Sequence, residues 1–160
     1  MRRMHTRFAL AAFAFLTFSI FAATPEGTMQ KTASGEFDVS LKPQEASDKG
    51  QEATLGRMSI DKRFHGDLDG TSAGEMLMVQ TEVKGSTGYV AIERVTAKLH
   101  GRSGTFLLQH YAFMYRGKPE LSIRVVPDSG TGELKGLSGS MTIDIRDGKH
   151  FYKFEYTLAQ

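Results

Sequence analysis

From Glu36 onward the chain reads as short runs in which apolar and polar positions alternate, broken by Gly, Asp, Ser and Pro. Alternation with a period of two marks a strand with one dry and one wet face, whereas a helix repeats every three to four residues. Helical periodicity is almost absent. The runs predict strands at 36–42, 56–67, 72–83, 88–99, 105–115, 121–126, 138–146 and 149–158. Eight strands joined mostly by short turns predict an all-β, antiparallel meander. A sheet that long tends to curl and close into a β-barrel.

Turn residues suggest the register. Asp147-Gly148 is a strong two-residue hairpin signal, since both residues tolerate positive φ. It predicts Ile143 opposite Tyr152 and Met141 opposite Phe154. One face then carries Met141, Ile143, Ile145, Tyr152, Phe154, Tyr156 and Leu158, and the other Thr142, Asp144, Arg146, Lys153 and Glu155. Asp69-Gly70 gives the same signal earlier. It predicts Phe64 opposite Glu75, Lys62 opposite Leu77 and Ile60 opposite Val79. Its apolar face would be Met58, Ile60, Phe64, Leu68, Ala73, Leu77, Val79 and Val83, with Lys62 and Glu75 as charged intruders.

The stretch IERVTAKLHGRSGTFLLQH, Ile92 to His110, reads as a third hairpin. A turn at Arg102-Ser103 pairs Leu99 with Phe106 and Val95 with His110; a three-residue turn centred on Arg102 would pair Leu99 with Thr105. The apolar pattern favours the first. Tyr89, Ala91, Val95 and Leu99 then share a face with Phe106, Leu108, Ala112 and Met114, and Glu93 and His110 fall diagonally on that same dry face. Diagonal neighbours lie about 7–8 Å apart, within side-chain reach. Read straight across the sheet, Lys62, Leu77, Val95 and His110 form one row with Glu75 and Glu93 to either side.

Four polar groups on an apolar wall must pair, shift their pKa values or meet water or a ligand. One reading is a satisfied structural pair of Glu93 and His110, with Lys62 snorkelling or turned outward at a bulge. Another is a ligand cavity lined by Lys62, Glu75, Glu93 and His110. A third makes Glu93 or His110 a proton carrier. One His and two Glu on strands have no fixed ligand spacing, so neither a metal nor a cofactor is expected. His65, His100 and His150 read as surface or turn residues.

Two other stretches resemble sites without meeting their requirements. GTGELKGLSGSM, Gly130 to Met141, lacks the phosphate-loop pattern and leads into a strand rather than a helix. Its glycines suit a bend with close strand packing. Ser103, Ser138 and Ser140 lie in no nucleophile elbow. On the outer face Leu107, Tyr111, Phe113 and Tyr115 form an aromatic stripe. It suits a homodimer contact or a surface covered by residues 24–35 or by loops.

Charge alters the picture once the first residues are set apart. The chain has 160 residues and a formal charge of +2. Residues 1–23 hold Arg2, Arg3 and Arg7 and no acid, leaving 17 Lys+Arg (20 less 3) against 18 Asp+Glu, a net of −1. No basic stripe remains for nucleic acid. MRRMHTR followed by FALAAFAFLTFSIFAA has the layout of a secretory signal peptide. The apolar run, Phe8 to Ala23, is short of the ~20 residues a spanning helix needs. The expected organisation is a signal peptide over 1–23, a flexible linker over 24–35 and a β-barrel domain over 36–160. The expected location is periplasmic or secreted, with no membrane contact expected once the leader is removed. Cysteine is absent, so the exported domain must stand on packing alone.

The segments MSIDKRFHGDLDGTSAGEML, GYVAIERVTAKLHGRSGTFLLQH and VVPDSGTGELKGLSGSMTIDIRDGKHFYKFEYTL resemble a bacterial family known as domain of unknown function 3224. The resemblance runs from about Gly35 to Leu158. It implies a fold similar to allene oxide cyclase and dirigent proteins, an eight-stranded antiparallel barrel, and carries no established activity or functional residues. The expected function is an exported barrel that binds a small apolar or amphipathic molecule. The alternatives are a cyclase or isomerase using the same cavity, and a structural or interaction protein with a filled core.

Overall fold

A computed structural model describes residues 29–45 and 53–158. Eight strands follow one another: β1 Lys31–Gln44, β2 Ala53–Gly66, β3 Leu68–Thr81, β4 Thr87–Leu99, β5 Arg102–Tyr115, β6 Lys118–Val125, β7 Leu137–Arg146 and β8 Lys149–Leu158. Each pairs antiparallel with the next, and β1 pairs with β8 to close the barrel. The meander and its closure are as the alternation predicts. Strand β1 begins earlier than expected. Lys31–Gly35, read as the end of a linker, are strand, because Ala33 is fully buried opposite Phe154. The predicted leader lies outside the described residues. Among the described residues no helix is long and apolar enough to cross a membrane.

The β7–β8 hairpin has the register set by Asp147-Gly148, with Ile143 opposite Tyr152 and Met141 opposite Phe154. Both turn residues have positive φ, 51° and 76°, as a primed two-residue turn requires. The two other hairpins turn elsewhere. β4 and β5 turn at His100-Gly101, so Leu99 faces Arg102 and Val95 faces Phe106. Against the expected Leu99–Phe106 pairing this is a slip of four residues. An even slip leaves every side chain on its predicted face.

β2 and β3 turn at Gly66-Asp67, where Gly66 has a φ of 105°. Asp67 is tied to β1: its N–H donates to the Ser34 carbonyl (3.1 Å) and its carboxylate accepts the Ser34 N–H (2.8 Å). Phe64 therefore faces Gly70, not Glu75. That slip of five is odd and turns β3 over. Leu68, Ser72 and Met76 point inward, while Ala73, Glu75 and Leu77 point out.

The ends of the barrel differ. The end holding the β2–β3 and β4–β5 turns is filled. Phe64, Leu68, Leu99, Phe106, Leu134, Leu137 and Phe154 are sealed from solvent there, with Phe106 stacked on Phe154 at 5.8 Å. Leu134 belongs to a short 3-10 turn, Gly132–Leu134, in the β6–β7 connection. That connection lies along β5 where β6 has ended: Val126 N–H donates to the Leu107 carbonyl, and Thr131 N–H to that of Thr105. The glycine-rich stretch is thus a bend and a cap.

Tyr152 ties the filled end to the β2–β3 corner. Its hydroxyl accepts the Leu68 N–H at 2.9 Å and lies 3.2 Å from the His65 carbonyl, to which it can donate. Tyr152→Phe should leave a buried N–H unpaired and cost about 1–3 kcal/mol. Urea unfolding measures this, and an unchanged midpoint would mean that the bond contributes nothing net.

On the outer face Tyr111, Phe113 and Tyr115 are exposed, as are Leu77, Val90 and Ile92 beside them. Leu77, Val90 and Tyr111 follow one another directly across β3, β4 and β5. Lys31–Gly35 do not cover this face, since β1 lies across the barrel from β5.

Candidate functional site

Strand pairing sets the inward side chains in rows. Ile60, Gly74, Glu93 and Leu108 follow one another across β2 to β5. One row toward the filled end come Lys62, Ser72, Val95 and Phe106. One row the other way come Met58, Met76, Ala91 and His110. Glu93 thus sits at mid-barrel, with Lys62 and Ser72 below it and His110 above.

All four polar groups are buried and Glu93 is fully so. Lys62 Nζ donates to Glu93 Oε1 at 2.7 Å, His110 Nε2 to the same oxygen at 2.9 Å, and Ser72 Oγ to Oε2 at 2.7 Å. The lysine ammonium also lies over the rings of Phe37 (5.1 Å) and Phe64 (5.8 Å), a second favourable contact for a desolvated cation. Among the described residues no buried side-chain nitrogen or oxygen is left unpaired.

Lys62 and Glu93 are on β2 and β4, so their bond passes over β3. It can do so because β3 presents only Gly70, Ser72 and Gly74 inward beneath it. A Cβ at Gly74 would run into the Ile92 carbonyl oxygen and the Glu93 backbone. The glycine lets strand β4 approach and leaves the lysine its path.

Burial, the largest single influence on Glu93, pushes its carboxyl up. The His110 hydrogen bond and the Lys62 charge and hydrogen bond together outweigh it and hold the group at about 2, below its ordinary 4.5. Glu93 is therefore a carboxylate at neutral pH. Near it, burial and the Glu93 charge push the Tyr89 phenol up.

Of the four lining residues expected from the sequence, the structure brings together Lys62, Glu93 and His110. Glu75 is not with them. It lies on the outer face in a two-pronged bond with Arg57, 2.7 Å and 3.1 Å, because the odd slip turned β3 over. Ser72 takes the place inside that β3 was expected to give to Glu75 and Leu77. Its signal in the sequence was the Gly70-Thr71-Ser72-Ala73-Gly74 alternation of small residues, legible only once the register is known.

For a metal the set is poor. Glu93 and His110 are already bonded to one another, and the adjacent Lys62 charge opposes a cation. Among the described residues no group of three His, Asp or Glu is placed to hold one. His65 is outside beside Asp38, and His100 is in its turn against the Tyr156 hydroxyl at 2.7 Å. His150 points inward, its ring 5.1 Å from Phe37, in a cleft of about 270 Å³ where β1 and β8 part.

These features define a closed eight-stranded antiparallel barrel, filled at one end and crossed at its middle by a buried ion network. Its family follows from the chain itself: it belongs to the family described as Protein of unknown function (DUF3224), which matches residues 33–156. A solved structure of a DUF3224 protein of unknown function from Shewanella oneidensis MR-1 is 49% identical. It covers 82% of this chain and 99% of its own, with a TM-score of 0.80. No curated protein matches.

Proposed function

We propose that the protein binds a small apolar or amphipathic molecule in the end of the barrel opposite the filled one, above the Lys62–Glu93–His110 floor. One observation carries this reading. Inward-pointing apolar side chains are sealed at the filled end but open at the other: Leu41 is 47% exposed, Leu121 41% and Ile145 62%. Met58, Met78, Tyr89, Met114 and Ile143 are half-buried beside them. Single exposed apolar residues on a convex surface are ordinary. A ring of them on the concave face of a barrel is what a ligand site looks like. The methionines add a lining that can adapt its shape. As part of the same proposal, residues 1–23 direct the barrel to the periplasm or beyond.

The test is binding of an apolar fluorescent dye, N-phenyl-1-naphthylamine, to wild type, Leu121→Lys and Tyr111→Lys. Leu121→Lys, at the mouth, should weaken binding at least tenfold, since a buried unpaired charge is costly. Tyr111→Lys, outside, should change it little. The opposite pattern would move the site to the outer face and refute the reading.

A further inference from the structure

We infer that His110 is the polar contact of this mouth and takes a hydroxyl proton from its ligand as a hydrogen-bond acceptor, so that the occupant is an apolar alcohol. The inference rests on the mouth being a binding site, and it starts from Glu93.

A carboxylate only accepts hydrogen bonds. Glu93 Oε1 lies 2.9 Å from His110 Nε2, so that nitrogen must carry a hydrogen. In a neutral imidazole the other nitrogen, Nδ1, then holds a bare lone pair. Glu93 thereby fixes the tautomer. Nδ1 has no hydrogen-bond partner among the described residues, yet no buried side-chain nitrogen or oxygen there is left unpaired. This nitrogen is therefore not fully sealed, although His110 as a whole is only 3% exposed.

His110 stands on the mouth side of Glu93. Glu93 is opposite Leu108, and His110 is opposite Ala91, one row nearer the opening. The bonded nitrogen turns down to Glu93, and the two ring nitrogens diverge. The next row up is Met78, Tyr89, Ala112 and Leu121. These walls are apolar except for the Tyr89 hydroxyl, which also has no partner among the described residues. Burial keeps that phenol protonated. The floor thus offers one acceptor, Nδ1, and one hydroxyl able to donate. A ligand hydroxyl matches both: it donates to Nδ1 and accepts from Tyr89. An ether can only accept, and a carboxylate would set its charge against the Nδ1 lone pair.

The experiment uses the full chain and two probes of one length, 1-octanol and methyl heptyl ether, with ¹⁵N NMR of His110 at pH 8. Free protein should show His110 as the neutral tautomer with hydrogen on Nε2. Octanol should move the Nδ1 resonance and bind about tenfold more tightly than the ether, the worth of one buried hydrogen bond. His110→Phe should keep the ether and lose that preference. Should this variant not fold, the wild-type comparison decides alone. Equal binding of the two probes overturns the alcohol inference and leaves the mouth site standing. Hydrogen on Nδ1 in the free protein overturns it too. Binding of neither probe removes the mouth site and the inference with it.

Discussion

Glu93→Leu is expected to cost about 3–5 kcal/mol of stability, because it leaves the Lys62 ammonium buried without its anion. The lysine cannot easily escape. Its side chain is 5% exposed and held between the rings of Phe37 and Phe64. His110 and Ser72 lose their acceptor as well. Lys62→Met alone should also be costly, stranding the carboxylate. The double variant Lys62→Met with Glu93→Leu should be more stable than Glu93→Leu alone, since no charge then remains unpaired. Urea unfolding of all four proteins gives the coupling. Costs that simply add would show that the two charges do not depend on one another.

Acid should undo the same network. Burial pushes the Glu93 carboxyl up, but His110 and Lys62 outweigh it and hold it at about 2 against an ordinary 4.5. The native state then binds fewer protons here than the unfolded chain, so stability from this group rises with pH. It is fully present above about pH 4.5 and is lost as pH falls through about 2. A carboxyl held this far below its ordinary value contributes on the order of 3 kcal/mol at neutral pH. Comparing urea midpoints at pH 7 and pH 3 isolates the part lost over that range. Wild type should lose more stability than the Lys62→Met, Glu93→Leu pair, which no longer has this carboxyl to protonate while His110 is common to both. An equal loss in both would assign the acid sensitivity to other carboxylates.

The contrast between Glu75 and Glu93 shows how far binary pattern reaches. Alternation alone defines strands, and two Asp-Gly pairs offered turns of equal apparent strength. One is a turn. The other, Asp69-Gly70, lies within β3, where a Cβ on Gly70 would strike β4 at Thr96 and Ala97. Glycine there serves close packing, and a lone sequence does not separate that need from a positive φ. The true corner at Gly66-Asp67 is fixed by Ser34, more than thirty residues away and invisible to local rules. The cost of misplacing a turn depends on parity. The slip of four around His100-Gly101 kept Glu93 and His110 together; the slip of five at the other hairpin exchanged Glu75 for Ser72. The family resemblance is shown by the match over residues 33–156. Which nitrogen of His110 faces Glu93 was not legible either, because the hydrogen bond between them is a three-dimensional fact.

Closure of the ring through β1 and β8 sets an order on folding. Lys31–Phe37 find their second neighbour only in His150–Tyr156, in the eighth of the eight strands. Pairings so distant in sequence are slow to form, since a long loop must close before any contact rewards it. Until β8 emerges, both β1 and β7 present an open edge, the kind of surface that recruits stray strands. A chain truncated before His150 should therefore aggregate rather than fold as a seven-stranded remnant. In a chain still being made, the barrel therefore stays open until its eighth strand is at hand.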